Sequence, residues 1–247
     1  MLQSPAGRAN LGRATTLSGH RMAEAIGKTL AQMTSAPFLW VLARALALTL
    51  VLYAGLFWLF QLGLGALPAS RWGWLDWAVR ILANAGLIFS FFFLLFPVAA
   101  LFVGLFLEEV AGAVERRHYP GDPPAVEPGL LTGLTTGLRF FFALVALNFL
   151  LLPVYLFVPA INVGLFFAVN GYLIGREYFE LVALRHMPEA RVRVLRRRYR
   201  GRILGAGLTI AIPLTIPLVN LVAPLFGAAL MVHVFKDIER RAGDDRI

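Results

Sequence analysis

Four stretches of this chain carry no Asp, Glu, Lys or Arg: Ala45 to Ser70, Ile81 to Leu107, Phe140 to Gly175 and Ile203 to Phe235. Each exceeds the roughly 20 apolar residues that cross about 30 Å of hydrocarbon as a helix. The mean hydropathy of +0.72 thus comes from blocks spread along the chain rather than from one anchor on a soluble domain. Only 15% of the 247 residues are charged, against about a quarter in soluble domains, so an all-α integral membrane protein is expected.

The lengths of the last two blocks, 36 and 33 residues, are too great for one crossing. They are also too small for two, since two crossings and a turn need over about 40. Each block is cut near its middle by proline: Pro153 and Pro159 in one, Pro213 and Pro217 in the other. Both read as partly penetrating (re-entrant) helical hairpins. The first arm of the last one, Ile203 to Ile212, would reach about 15 Å and stop near the bilayer midplane. The two breaks, "PAIN" at Pro159 to Asn162 and "PLVN" at Pro217 to Asn220, form a weak internal repeat of the kind that marks transport sites.

The first two blocks read as full spans. Pro37 opens a helix running to about Gly65, and a second extends from about Leu75 to Arg117 behind the interfacial cluster Trp72, Trp74 and Trp77. At 1.5 Å per residue that second helix would be roughly 64 Å long, so its charged end from Glu108 onward should project into water. "PGDPPAVEPG" then breaks it, and a new helix begins near Pro128. Ahead of the spans, Ser18 is placed to cap an amphipathic helix from about Gly19 to Met33, apolar along Met22, Ile26, Leu30 and Met33, lying on the membrane surface. Residues 1–17 are expected to be a disordered tail, 18–240 one helical membrane domain and 241–247 a C-terminal tail. No apolar run long enough for a signal-peptide core precedes Phe38.

The net charge of +9 lies beside the apolar blocks, not on a base-stacking surface, which argues against nucleic acid. "RHMPEARVRVLRRRYRGR", Arg185 to Arg202, holds eight arginines against one glutamate and reads as a loop that anchors to lipid headgroups. Residues 1–44 hold five Arg or Lys against one Glu, so both termini should be cytoplasmic. There is no cysteine, and His20, His118, His186 and His233 lack metal-ligand spacing. No carboxylate pair, phosphate loop or nucleophile motif is present, so neither an enzyme nor a cofactor is expected.

"FPVAALFVGLFLEEVAGAVERRHYPGD" (Phe96 to Asp122), "GYLIGREYFELVALR" (Gly171 to Arg185), "VPAIN" and "IPLVNLVAPLFGAALMVHVFKD" (Ile216 to Asp237) together resemble the CysZ family of bacterial sulfate permeases, related to the etoposide-induced membrane proteins of eukaryotes. The resemblance implies two long transmembrane helices with partly penetrating hairpins. It also implies a homo-oligomer in the bacterial inner membrane that supplies sulfate for cysteine synthesis. A Gly-Leu-Leu-Ala-Glu-like motif lies at the family's sulfate site; here Gly104, Leu105, Phe106, Leu107 and Glu108 occupy it, with Phe106 and Leu107 departing from the pattern. Trp40 and Val41 stand where family members carry adjacent arginines, leaving Arg44 as the nearby cation.

A dianion crossing hydrocarbon needs amides, helix N-termini or cations to replace its hydration. Arg44 is the best single cation for that role, and it could equally be a snorkelling interfacial side chain. Glu108 repels an anion directly and is expected to pair with a basic group such as Arg139 or to sit solvated. Asn162 and Asn220 are expected to cap the second hairpin arms or to line a pore beside Pro159 and Pro217. Arg176, Glu177 and Glu180 read as an interfacial charge network. Glycine pairs Gly171 with Gly175, Gly201 with Gly205, and the triplet Gly129, Gly133 and Gly137 read as helix-packing faces. A non-transporting scaffold that shapes the bilayer is the rival reading.

Overall fold

A computed structural model describes residues 20–67, 71–123, 125–126 and 162–244, and every regular element among them is helical. The hairpin tip at Pro153 and Pro159, the glycine triplet, Arg139 and Ser18 lie outside the described residues. A first helix, α1, covers 20–32. It is followed by α2 (Ala36–Gly65), α3 (Gly73–Gly104), α4 (Leu107–His118), α5 (Asn162–Ala183), α6 (Glu189–Arg198), α7 (Arg200–Leu214), the single turn α8 (Pro217–Asn220) and α9 (Ala223–Asp244).

α2 starts where proline allows it, with Ser35 at the N-cap position and Pro37 in the first turn, where a missing N–H costs nothing. Its buried positions Phe38, Val41, Ala45, Thr49 and Tyr53 form one stripe, spaced by three or four residues. The rest of its surface is apolar and bare, with Trp40, Leu50, Val51 and Trp58 all more than 60% exposed. α3 runs back alongside it, Tyr53 stacking on Phe91 with ring centroids 4.3 Å apart. Phe89, Phe92 and Phe93 face outward from α3. Ala36–Gly65 and Gly73–Leu95 are each long and apolar enough to cross a membrane, and almost none of that surface is buried in the protein. A soluble protein would hide such helices in its core, so the bare α2–α3 hairpin marks a membrane protein.

The second long helix is not continuous to Arg117. It ends at Gly104, turns through Leu105 and Phe106, and restarts as α4 at Leu107. The cause is packing: α3 packs chiefly on α2, whereas α4 must lay Leu107, Val110, Ala111 and Val114 into the core against α9.

α9 is the axis of the remaining bundle. It is apolar on every side from Ala223 to Phe235, as a helix surrounded by others must be, and α4, α5 and α7 pack around it. Phe179, Ile210, Leu230, Met231 and Phe235 are the large side chains sealed at its centre. α7 and α9 are antiparallel arms joined through α8. Gly227 of α9 lies under Ile210 of α7, and Arg202 pairs with Asp237 at the arms' other ends. Pro213 closes α7 and Pro217 opens α8, so the proline break falls where it was expected. The first arm is 15 residues, about 22 Å long, which is still short of a full crossing.

α5 and α7 make the closest contact in the molecule. A Cβ on Gly207 would collide with the carbonyl oxygen of Gly171 and lie 2.7 Å from the nitrogen of Gly175. The partner of the Gly171–Gly175 face is therefore Gly207; a side chain at Gly201 or Gly205 would meet nothing within 4 Å. Gly201 and Gly205 therefore make no close helix contact within the described part of this chain.

Two further expectations change. The Arg185–Arg202 segment is not a plain loop, because α6 forms behind Pro188 with Glu189 in its first turn and Arg196, Arg197 and Arg198 in its last, and Val192 and Leu195 turn inward. On α1, Met22, Ile26 and Met33 pack against the core as expected, beside the buried Ala25, Thr29 and Gln32, but Leu30 points out at 54% exposure. α1 is held onto the bundle rather than free of it: the Gln32 side-chain amide donates to the Ala113 carbonyl at 3.4 Å, and its oxygen lies 3.0 Å from His118 Nε2.

Candidate functional site

Two turns into α2, Arg44 leaves the buried stripe between Val41 and Ala45 and reaches the break between α3 and α4. Its Nη2 donates to Glu109 Oε1 at 2.6 Å, its Nε to the Trp40 carbonyl at 3.4 Å, and its guanidinium lies 5.1 Å from the centre of the Phe106 ring. Both members of the ion pair remain about two-fifths exposed. The structure thus brings Arg44 together with the segment Gly104, Leu105, Phe106, Leu107 and Glu108, although more than sixty residues separate them.

The break itself starts a new helix beside Arg44. Leu105 and Phe106 N–H groups close tight turns onto Phe102 and Val103 carbonyls at 3.1 and 3.0 Å. α4 then begins afresh, with no side-chain cap from Phe106. The first-turn amides of a helix lack intrahelical acceptors and carry the positive end of its dipole. Leu105 is exposed, Phe106 half-buried and Leu107 buried, so the backbone is presented on one side and anchored on the other. Gly104 has open space where a Cβ would sit.

The local charge is not that of an open anion trap. Glu108 and Glu109 both lie in the first turn of α4. They complement its dipole, and Glu109 already neutralises Arg44. An oxyanion arriving here must displace a carboxylate from the guanidinium. Arg139, the suggested partner of Glu108, lies outside the described residues.

The α8 tip packs against α3, the helix that ends at the break. Pro159 lies outside the described residues, Asn162 is where α5 is first described, and Pro217 opens α8. Asn220 ends α8, its N–H donating to Ile216 at 2.7 Å, and the residue before α9 is Val222, whose carbonyl takes the Phe226 N–H. Asn220 thus lies three residues before Ala223, and Val222, which has no capping side chain, directly precedes α9.

Sequence reasoning missed the ion-pair hubs that hold the polar end together. Asp237 of α9 receives Arg21 of α1 at 2.6 Å, Arg241 one turn on at 3.3 Å, and Arg202 of α7. Burial pushes the Asp237 carboxyl up, but Arg21, Arg202 and Arg241 together hold it below the usual range. Glu115 of α4 takes Arg185 at 3.2 Å and His186 at 2.9 Å, and Glu180 takes Arg176 at 3.0 Å and also Arg196. Three arginines of the basic run, 185, 196 and 202, are thus structural rather than free for headgroups.

No curated protein matches the chain. Residues 25–224 match the family described as sulfate transporter CysZ/etoposide-induced protein 2.4, a stretch that takes in Arg44, the α3–α4 break and the α7–α8 tip; the chain belongs to that family.

Proposed function

We propose that this protein is a permease or channel that passes sulfate, or a similar small oxyanion, across a bacterial inner membrane to supply sulfur for assimilation. Family membership supports a sulfate-transporter-like role in general terms. The observation that carries the finer reading is the meeting of Arg44 with Phe106 and Glu109 where the helix breaks. A guanidinium beside uncapped helix amides offers both kinds of group that replace an oxyanion's hydration. In this reading the anion exchanges with Glu109 on Arg44, so occupancy is brief, as conduction requires. The α7–α9 hairpin dips into the bilayer without crossing it. Neighbouring subunits cover the bare apolar faces of α2 and α3, and the homo-oligomer encloses the path.

A scaffold that does not transport is the competing reading, favoured by one observation: Glu109 already satisfies Arg44. Uptake of radiolabelled sulfate into vesicles containing the purified protein separates the two. The permease reading expects uptake well above that of empty vesicles; equal uptake would select the scaffold.

A further inference from the structure

The polar end of the bundle holds a cavity of about 390 Å³ between α1, the C-terminal turns of α9 and Tyr119, far along the chain from Arg44. Its wall carries four cations, Arg21, Lys28, Arg240 and Arg241, against two carboxylates, Glu24 and Asp237. The pairing is uneven. Arg21 and Arg241 share Asp237, which Arg202 also engages from outside the cavity, and Lys28 meets Glu24 at 2.7 Å. Arg240 is exposed and spread over the Tyr119 ring at 5.4 Å. Positive charge is therefore in excess, with one guanidinium held flat and facing outward.

A second observation is independent of that charge. His233 also lines the cavity, is 4% exposed, and has an Nε2 with no hydrogen-bond partner. Its Nδ1 lies 2.8 Å from the Tyr119 hydroxyl. Burial pushes the phenol up to about 12 and the imidazole down to about 4, so at neutral pH the phenol keeps its proton and the ring is uncharged. A phenol donating to Nδ1 puts the ring proton on Nε2. A buried donor left unmet costs about 1–3 kcal/mol, and such groups usually belong to a ligand or water site.

We propose that this cavity binds a phosphate ester, with Arg240 and Lys28 taking the phosphoryl oxygens and the Tyr119–His233 pair forming its polar floor. Arginine matches a phosphate bidentately. The volume is many times the roughly 30 Å³ share of one water, so it suits an ester and its substituent rather than a bare ion. The same chemistry is offered by the headgroup of an anionic phospholipid and by a soluble phosphate monoester.

The full-length protein, purified in phosphate-free detergent, distinguishes these sources. One arm titrates glycerol 3-phosphate by calorimetry; the other offers phosphatidylglycerol or phosphatidylcholine and counts retained lipid by native mass spectrometry. Saturable binding in either arm is expected, weakened at least tenfold in the double variant Lys28→Gln, Arg240→Gln. Both exchanged side chains are surface groups, and elution as the wild-type species on sizing confirms that the variant is folded. Equal binding by wild type and double variant, or no binding in either arm, overturns the proposal.

Discussion

Arg44 Nη2 lies 2.6 Å from Glu109 Oε1, so the cation best placed to receive an anion is already held by a carboxylate of the same site. Two substitutions should consequently act in opposite directions. Arg44→Ala should weaken sulfate binding about tenfold, as expected for one charge-assisted contact of about 1.5 kcal/mol. Glu109→Gln should tighten it, because the guanidinium no longer has a competing charge. Calorimetric titration of the two variants with sulfate checks both; identical affinities would remove Arg44 from the site.

The α5–α7 contact is backbone on backbone at Gly207. Gly207→Ala should cost about 3 kcal/mol or more, since the helices must separate to admit a methyl group. Gly205→Ala, in the same helix with open space around it, should change stability by no more than about 1 kcal/mol. Thermal unfolding in detergent compares them.

Asp237 faces three guanidinium groups at 18% side-chain exposure. Asp237→Asn keeps the shape, removes the charge and leaves those guanidiniums to repel one another. A loss of roughly 2–4 kcal/mol is expected, below the value for a fully buried pair. The N-terminal helix should loosen first, read out as faster amide exchange over 20–32.

His233 gives the polar end a pH dependence of predictable sign. Its imidazole is held from 6.5 down to about 4 by burial. Between those values the unfolded chain binds the extra proton, so stability falls as pH drops. The full effect is about 3 kcal/mol. The unfolding midpoint should fall between pH 7 and pH 5, and His233→Gln should flatten that slope.

The spans were legible because their signals are local. A charge-free run and Pro37 place α2 to within a residue, and Pro213 and Pro217 mark the α7–α8 turn. The break at Leu105 and Phe106 was not legible, since "VGLFLEE" contains no proline and reads as uninterrupted helix. It is imposed by two different main partners, α2 for α3 and α9 for α4. On α1, Met22, Ile26 and Met33 pack inward as read, and only Leu30 was misplaced. Periodicity favours Leu30, whereas Gln32 turns inward because His118 and the Ala113 carbonyl are waiting for its amide. Arg44 was singled out from sequence, but its acid partner was not, because Glu109 is brought to it only by the α2–α3 hairpin.

The ion pair between Arg21 and Asp237 joins positions 216 residues apart. Two side chains that touch cannot be separated by a bilayer, so the chain between them must traverse it an even number of times. α2 and α3, each long and apolar enough to cross, form one antiparallel pair of passages. Any further complete passage in the rest of the chain must be matched by its reverse, and the helices at both ends share one aqueous compartment.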